Sequence, residues 1–210
     1  MNYKYAVFLL LFFSFYFAKA QNVSKAVFHL GDTEIKSVDI TENGFILTID
    51  NKGNLVSFNS IAGGDYQYFD EGYGSRDAKI KSIGNVQIDY WINDVEGSRD
   101  GKVKTIGNMK IDYWITDLLS GKKGKVKSIG NILVDYWNDD LLNGGQGKLK
   151  SIGNMNIEYW TDDLLSGKLG KAKSMGNITV DYFTSDLLSS NYGRIKSING
   201  NTASIYAVRN

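Results

Sequence analysis

Residues 101–123 read GKVKTIGNMKIDYWITDLLSGKK, and residues 124–146 repeat the pattern as GKVKSIGNILVDYWNDDLLNGGQ, with nothing inserted or lost. The motif Lys-Ser/Thr-Ile/Met-Gly-Asn returns at this 23-residue interval along the chain. It begins at Lys81, Lys104, Lys127, Lys150, Lys173 and Lys196. A fixed period of this length indicates one supersecondary unit that is stacked on copies of itself.

The residue types within one copy predict a β-hairpin. Apolar side chains alternate with polar or tryptophan side chains over residues 109–114, which is the two-residue period of a strand. Gly107 and Asn108 precede this run, and a Gly-Asn pair supplies the positive φ that a tight turn needs. We therefore predict strands at about 102–106 and 109–115, followed by a loop.

Two registers are open for this hairpin. A two-residue turn sets Lys104 opposite Ile111, whereas a three-residue turn sets Lys104 opposite Asp112 and Val103 opposite Tyr113. Opposite charges and apolar groups that face each other across strands contribute roughly 0.2 to 1 kcal/mol per pair. We favour the three-residue turn for that reason.

The fold class predicted by the repeat is all-β: an elongated antiparallel β-hairpin array whose loops cover one face of a meander sheet. The alternative is a parallel β-helix with one coil per copy. Equivalent lysines would then stack about 4.8 Å apart and repel one another. In consecutive hairpins they lie two strands apart, beyond the ~8 Å Debye length of physiological salt. We favour the hairpin array.

The ends of the chain differ from the repeats. Residues 1–20 carry a basic residue, an apolar run and Ala18-Lys19-Ala20, which is typical of a cleaved export signal. We expect a non-repeating β cap at 21–57, where FILTID and LVSF form a hairpin around NKGN. A degenerate copy at 58–77, five copies at 78–192 and a capping copy at 193–210 follow.

Composition restricts compartment and partners. The chain contains no proline and no cysteine, so it suits paired strands and holds together without disulfides. Its formal charge is +1, or −1 after loss of Lys4 and Lys19, which gives no electrostatic reason to expect nucleic acid as a partner. We expect export to the periplasm or surface of a Gram-negative bacterium, with no transmembrane span once the signal is cleaved.

An aromatic row is the candidate binding site. In each copy an acid, a tyrosine and then an aromatic residue end the second strand, and such side chains can stack on a sugar ring and accept hydrogen bonds. The row consists of Trp91, Trp114, Trp137, Trp160 and Phe183, with the acids Asp89, Asp112, Asp135, Glu158 and Asp181. The competing interpretation is that each tryptophan packs over a neighbouring lysine stem to cover the sheet.

Other residue patterns predict no chemistry. Paired leucines recur after an acid in four of the loops, and we expect them to fold back over one face of the sheet. Charged residues recur in near-identical copies rather than converging in one place, so we predict no enzymatic activity, no cofactor and no metal site. The single histidine, His29, is predicted to be a strand residue.

The 23-residue period, with a hairpin built around glycine and aromatic residues, resembles the MORN repeat. MORN units have a Tyr-x-Gly-x-Trp core, whereas the motif here is Gly-Lys-x-Lys-Ser-Ile-Gly-Asn with Asp-Tyr-Trp. The exported setting is similar to that of choline- and glucan-binding repeats of cell walls, and the chain resembles exported repeat proteins of Gram-negative bacteria. The resemblance covers about residues 58–210 and implies a hairpin-array shape.

These observations predict an exported, non-enzymatic repeat protein of the cell envelope. We expect it to bind an extracellular glycan or an envelope protein through the aromatic row and its acids. The alternative is a structural spacer or assembly component, without a small ligand, whose exposed strand edges join partners.

Overall fold

A computed structural model describes residues 22–94, 96, 98–115, 121–138, 147–161, 167–184 and 188–210. The predicted export signal at 1–20 lies outside this part of the chain. So do the paired leucines of the loops, apart from Leu188.

The protein is all-β and contains two sheets. The strands are β1 (Lys25–Leu30), β2 (Ile35–Glu42), β3 (Phe45–Asp50), β4 (Leu55–Ser60), β5 (Tyr66–Tyr68), β6 (Ile80–Ile83), β7 (Val86–Tyr90), β8 (Val103–Ile106), β9 (Met109–Tyr113), β10 (Val126–Ile129), β11 (Ile132–Tyr136), β12 (Leu149–Ile152), β13 (Met155–Tyr159), β14 (Ala172–Met175), β15 (Ile178–Tyr182), β16 (Ile195–Asn199) and β17 (Ile205–Arg209). One 3-10 turn, Gly74–Arg76, precedes β6.

The repeats form the long sheet, in which the twelve strands β5 to β16 lie side by side in chain order. Each strand is antiparallel to the next, both within a copy and between copies. The predicted antiparallel hairpin array is therefore confirmed. A parallel β-helix is excluded, because in that fold the strands of successive coils would run in the same direction.

The turn of each hairpin contains two residues, so the predicted three-residue turn is wrong. Thr105 pairs with Lys110 and Ile106 with Met109, which leaves Gly107 and Asn108 as the turn. Gly107 has a φ of +56°. The attraction between lysine and acid is satisfied elsewhere, because Lys104 reaches back to the acid of the preceding copy.

A β-bulge makes that contact possible. Asp89 pairs with Thr105 and Tyr90 with Val103, so Lys104 is an extra residue between two paired positions. Its Nζ lies 3.5 Å from Oδ2 of Asp89. The bulge also changes the alternation, since Val103 and the residue three positions later, Ile106, are both buried. We call the buried side of the long sheet its inner face and the opposite side its outer face.

The small sheet has the order β17-β1-β2-β3-β4. The predicted hairpin between FILTID and LVSF is confirmed as β3 and β4. The last strand, β17, leaves the repeats and runs parallel to the first strand, with Ala26 opposite Ile205. The two strands of the last copy therefore belong to different sheets.

The small sheet lies on the inner face of the long sheet, and both contribute to one core cluster. The carbonyl of Gly53 accepts a hydrogen bond from the backbone N–H of Val126 at 2.8 Å. Near the other end, Oδ1 of Asp32 accepts one from the N–H of Ile195 at 3.4 Å.

Cover for the inner face therefore comes from the small sheet. Leu188, the one member of the paired leucines among the described residues, is 97% exposed. The residues of the predicted N-terminal cap lie against the inner face of the array.

Candidate functional site: the aromatic row of the outer face

The structure brings the aromatic row together on the outer face. Each aromatic residue follows the second strand of its hairpin. Its N–H donates to the carbonyl of the basic residue that precedes the next first strand, as from Trp114 to Lys125 at 2.9 Å and from Phe183 to Arg194 at 3.0 Å. Equivalent residues lie two strands apart, or about 10 Å. All ten predicted site residues therefore share one surface, with the acids on the same strands.

Two cations cover most of the tryptophan rings. The Arg99 guanidinium lies 3.7 Å from the ring centre of Trp91, and Lys104 lies 5.2 Å from it. Lys122 and Lys127 lie 5.1 and 5.2 Å from the Trp114 ring. The first member of each pair comes from the loop of the same copy, and we call it the loop cation. The second is the bulge lysine of the next copy.

Trp160 has the same two contacts, with Lys168 at 4.6 Å and Lys173 at 5.4 Å from the ring centre. Trp91, Trp114 and Trp160 are partly buried, and they also pack against residues of the core cluster. A cation that is held over an indole ring contributes about 0.5 to 2 kcal/mol, depending on how far it is removed from water. For these three tryptophans the contacts are those that the competing interpretation expects, since a lysine or arginine lies over each ring.

The loop cation also binds the acid of the next copy. Lys122 Nζ lies 2.7 Å from Oδ1 of Asp135, and Lys168 Nζ lies 3.0 Å from Oδ1 of Asp181. Arg99 makes the equivalent contact with Asp112 at 3.4 Å. One cation thus connects the aromatic ring of one copy with the carboxylate of the next.

The contacts with lysine lower the pKa of two of these carboxylates. Hydrogen bonds from Lys168 and from the backbone N–H of Tyr182, with the charges of Lys168 and Lys196, hold the pKa of Asp181 below its ordinary value. Partial burial pushes the pKa of Asp135 upward, but bonds from Lys122 and the N–H of Tyr136 outweigh it and leave the pKa lowered. Both acids are ionised and paired at neutral pH.

Trp137 and Phe183 are the open members of the row, with exposed fractions of 38% and 39%. Their loop-cation positions in the 23-residue period hold Gly145 and Asn191, so neither copy supplies the positive charge. Trp137 keeps only the bulge lysine, Lys150, 5.3 Å from its ring centre in the described part of the chain. The indole Nε1 donates to the carbonyl of Ile157 at 3.2 Å, which fixes the ring's orientation.

Like Asp89, Glu158 has no ion pair with a loop cation among the described residues, and its loop-cation position in the sequence is Gly145. Its side chain is 55% exposed, and among the described residues its ion pair is with Lys173 at 3.7 Å. The side chains of the other four acids are 30% to 48% exposed, with Asp135 the lowest and Asp89 the highest. The Trp137 ring and the Glu158 carboxylate are thus both exposed, and the loop-cation position of this copy is glycine in the sequence.

A second lysine series was missed from the sequence. Each of its members lies over the tyrosine ring of its own copy and donates to a glycine carbonyl of the next. Lys125, for example, lies 5.0 Å from the Tyr136 ring centre and 2.6 Å from the carbonyl oxygen of Gly147. The series consists of Lys79, Lys102, Lys125, Lys148 and Lys171. These contacts tie each copy to its neighbour.

The remaining candidates are polar contacts and a cavity. His29 lies on β1 as predicted, with Asp39 at 3.0 Å from Nε2 and Asn210 at 3.1 Å from Nδ1. A cavity of about 330 Å³ opens between the sheets beside Leu55, Phe58 and other apolar side chains. Within the described ranges no group of three or more His, Cys, Asp or Glu residues could hold a metal ion, and no helix is long and apolar enough to cross a membrane.

Comparison with known proteins gives no match to a protein-family model, to a curated protein or to a solved structure.

Proposed function

We propose that the chain is an exported binding module of the cell envelope that takes an extracellular glycan on its outer face. The principal contact is the pair formed by Trp137 and Glu158, and Phe183 is a second aromatic contact. The single observation that supports this site is the joint opening of an aromatic ring and a carboxylate where the loop cation is replaced by Gly145.

A glycan matches the chemistry of this pair. An indole face packs on the apolar face of a sugar ring, while an exposed carboxylate and a nearby lysine accept and donate hydrogen bonds to hydroxyl groups. Trp137 is held rigidly through its Nε1 bond, so little conformational entropy is lost on binding. The closed tryptophans on either side support the surface and contribute no open ring.

The repeated charges favour binding without catalysis. The acids and lysines of the outer face neutralise each other in near-identical pairs along the sheet. A catalytic site requires unlike groups that converge with perturbed pKa values. The export signal predicted at residues 1–20 supports the cell envelope as the location.

Glycan arrays with four variants test the proposal. Trp137→Ala should lose binding, and Trp114→Ala, which removes a covered ring, should retain it. Gly145→Lys should reduce binding because a loop cation closes Trp137 and Glu158. Lys122→Gly should create a second open pair at Trp114 and Asp135 and strengthen binding through avidity. Equal binding by Trp137→Ala and the parent protein would reject the site.

A structural role in assembly is the second candidate, and one observation favours it. The strands at the two ends of the long sheet, β5 and β16, each have a single neighbour among the described strands. Unpaired sheet edges are templates for strand addition.

A further inference from the structure

The repeat array starts and stops in the middle of a hairpin. Tyr66 of β5 pairs with Ile83 just as Ile88 of β7 pairs with Ile106, so β5 has the place of a copy's second strand. Ile198 of β16 pairs with Val180 in the place of a copy's first strand. The array therefore lacks a first strand before β5 and a second strand after β16.

The start of the array has core-facing side chains without cover. Tyr66 and Tyr68 occupy the positions of Ile88 and Tyr90, which are 3% and 5% exposed. The exposed fractions of Tyr66 and Tyr68 are 41% and 56%. An additional strand beside β5 would pack against the side of these rings that has no strand neighbour among the described residues.

At the C-terminal end of the array no second strand follows β16, because the chain continues into the small sheet. After β16 the residues continue into β17, which pairs with β1 of the small sheet. The edge of β16 that would face a hairpin partner therefore has no strand beside it in the described chain. Ile198 on this strand is only partly buried against the core.

We propose that copies of this chain associate head to tail, with β16 of one molecule paired to β5 of the next. The hairpin register places Ile198 opposite Gly64 and Ser197 opposite Asp65. This junction completes the hairpin that each end lacks and continues the long sheet from one molecule into the next. The proposal goes beyond glycan binding and does not depend on it.

Charge at the junction agrees with this register. The position of Asp65 is held in the complete hairpins by Gln87, Lys110, Leu133, Asn156 and Thr179, none of them acidic. Asp65 would lie next to Lys196, whose partner within the molecule, Asp181, is 3.9 Å away. Opposite charges on neighbouring strands contribute about 0.2 to 1 kcal/mol and favour the correct register.

The contact joins unlike surfaces, so it leaves one free end on each side. Such a heterologous contact produces an open linear assembly unless its rotation closes a ring. A contact between two β5 edges would instead be isologous and would stop at the dimer. These two arrangements predict different cross-links.

Engineered cysteines separate them, because the natural chain has no cysteine. Ser197 and Asp65 would form a non-hydrogen-bonded pair, in which the Cβ atoms are about 4.5 to 5.5 Å apart, close to the ~3.5 to 4.5 Å of a disulfide. Asp65→Cys and Ser197→Cys proteins would be mixed and oxidised, and circular dichroism would confirm that each variant is folded. Lys110→Cys, on the outer face away from both edges, replaces Asp65→Cys in the control mixture.

The expected result is a covalent dimer in the mixture of Asp65→Cys with Ser197→Cys and a ladder of multimers for the double variant. A yield no higher than that of the Lys110→Cys control, or dimers from Asp65→Cys alone, would overturn the proposal. Sedimentation provides a second measurement on the protein without cysteines. Asp65→Lys should weaken association and Asp65→Lys/Lys196→Asp should restore it, whereas a monomer at every concentration would again overturn it.

Discussion

Removing one loop cation should destabilise the protein by a predictable amount. Lys122→Ala deletes a charge that lies 5.1 Å from the Trp114 ring centre and 2.7 Å from Oδ1 of Asp135. The Lys122 side chain is 13% exposed, so the ring contact contributes about 1 kcal/mol. The ion pair adds up to ~1 kcal/mol, since Asp135 is still partly open to water. We expect a loss of about 1 to 2 kcal/mol at neutral pH.

The loss should depend on pH. Because the folded protein holds the pKa of Asp135 below its ordinary value, the ion-pair contribution is complete above the unfolded value of about 4. It disappears as the pH falls through the lower folded pKa. Below that pKa the parent protein and Lys122→Ala should differ only by the cation–π contribution.

Urea unfolding followed by tryptophan fluorescence at neutral and acidic pH measures both effects. Lys110→Ala is the matched control, because Lys110 is exposed on the same face and its removal should change the free energy of unfolding by less than about 0.5 kcal/mol. Equal stability of the two variants, or a difference that does not change with pH, would refute the proposed role of the loop cation.

Three further measurements test the fold. Ile129→Ala, at a fully buried position between the sheets, should cost about 2 to 5 kcal/mol in chemical denaturation, whereas Val56→Ala on an exposed edge should cost little. Gly130→Ala should cost about 1 kcal/mol because φ is +56°, and Gly130→Asn should cost less; equal melting temperatures for the two would contradict the turn. Burial raises the pKa of Tyr90 to about 12, so its contribution to stability is complete below pH ~10 and is lost as the pH rises through about 12. Tyrosinate absorbance should show late titration for the buried tyrosines, and Tyr90→Phe should reduce the amplitude of the step near pH 12 by one tyrosine.

Much of the long sheet could be predicted from sequence because its contacts are local. The Gly-Asn turn and the alternation after Met109 specify a hairpin, and the five copies at 78–192 contain both signals. The register was predicted wrongly because Lys104 and Asp112 of one copy were assumed to be partners. The bulge instead directs Lys104 to Asp89, in the preceding copy.

Contacts between distant segments could not be predicted. The parallel pairing of β1 with β17 joins the two ends of the described chain, and no periodic pattern marks it. The packing of the small sheet on the inner face also joins distant segments and has no periodic pattern in the sequence. The loop cations at Arg99, Lys122 and Lys168 lie in segments without regular structure, so their positions over the tryptophans became evident only from the structure.

The covering of the aromatic row is measured most directly by acrylamide quenching of four variants that each retain one of the four tryptophans. Trp137 should be quenched most strongly, and adding Gly145→Lys should bring its quenching down to the level of Trp114 and Trp160. Similar quenching of all four tryptophans, or no change with Gly145→Lys, would contradict the conclusion that the loop cation decides which ring is open.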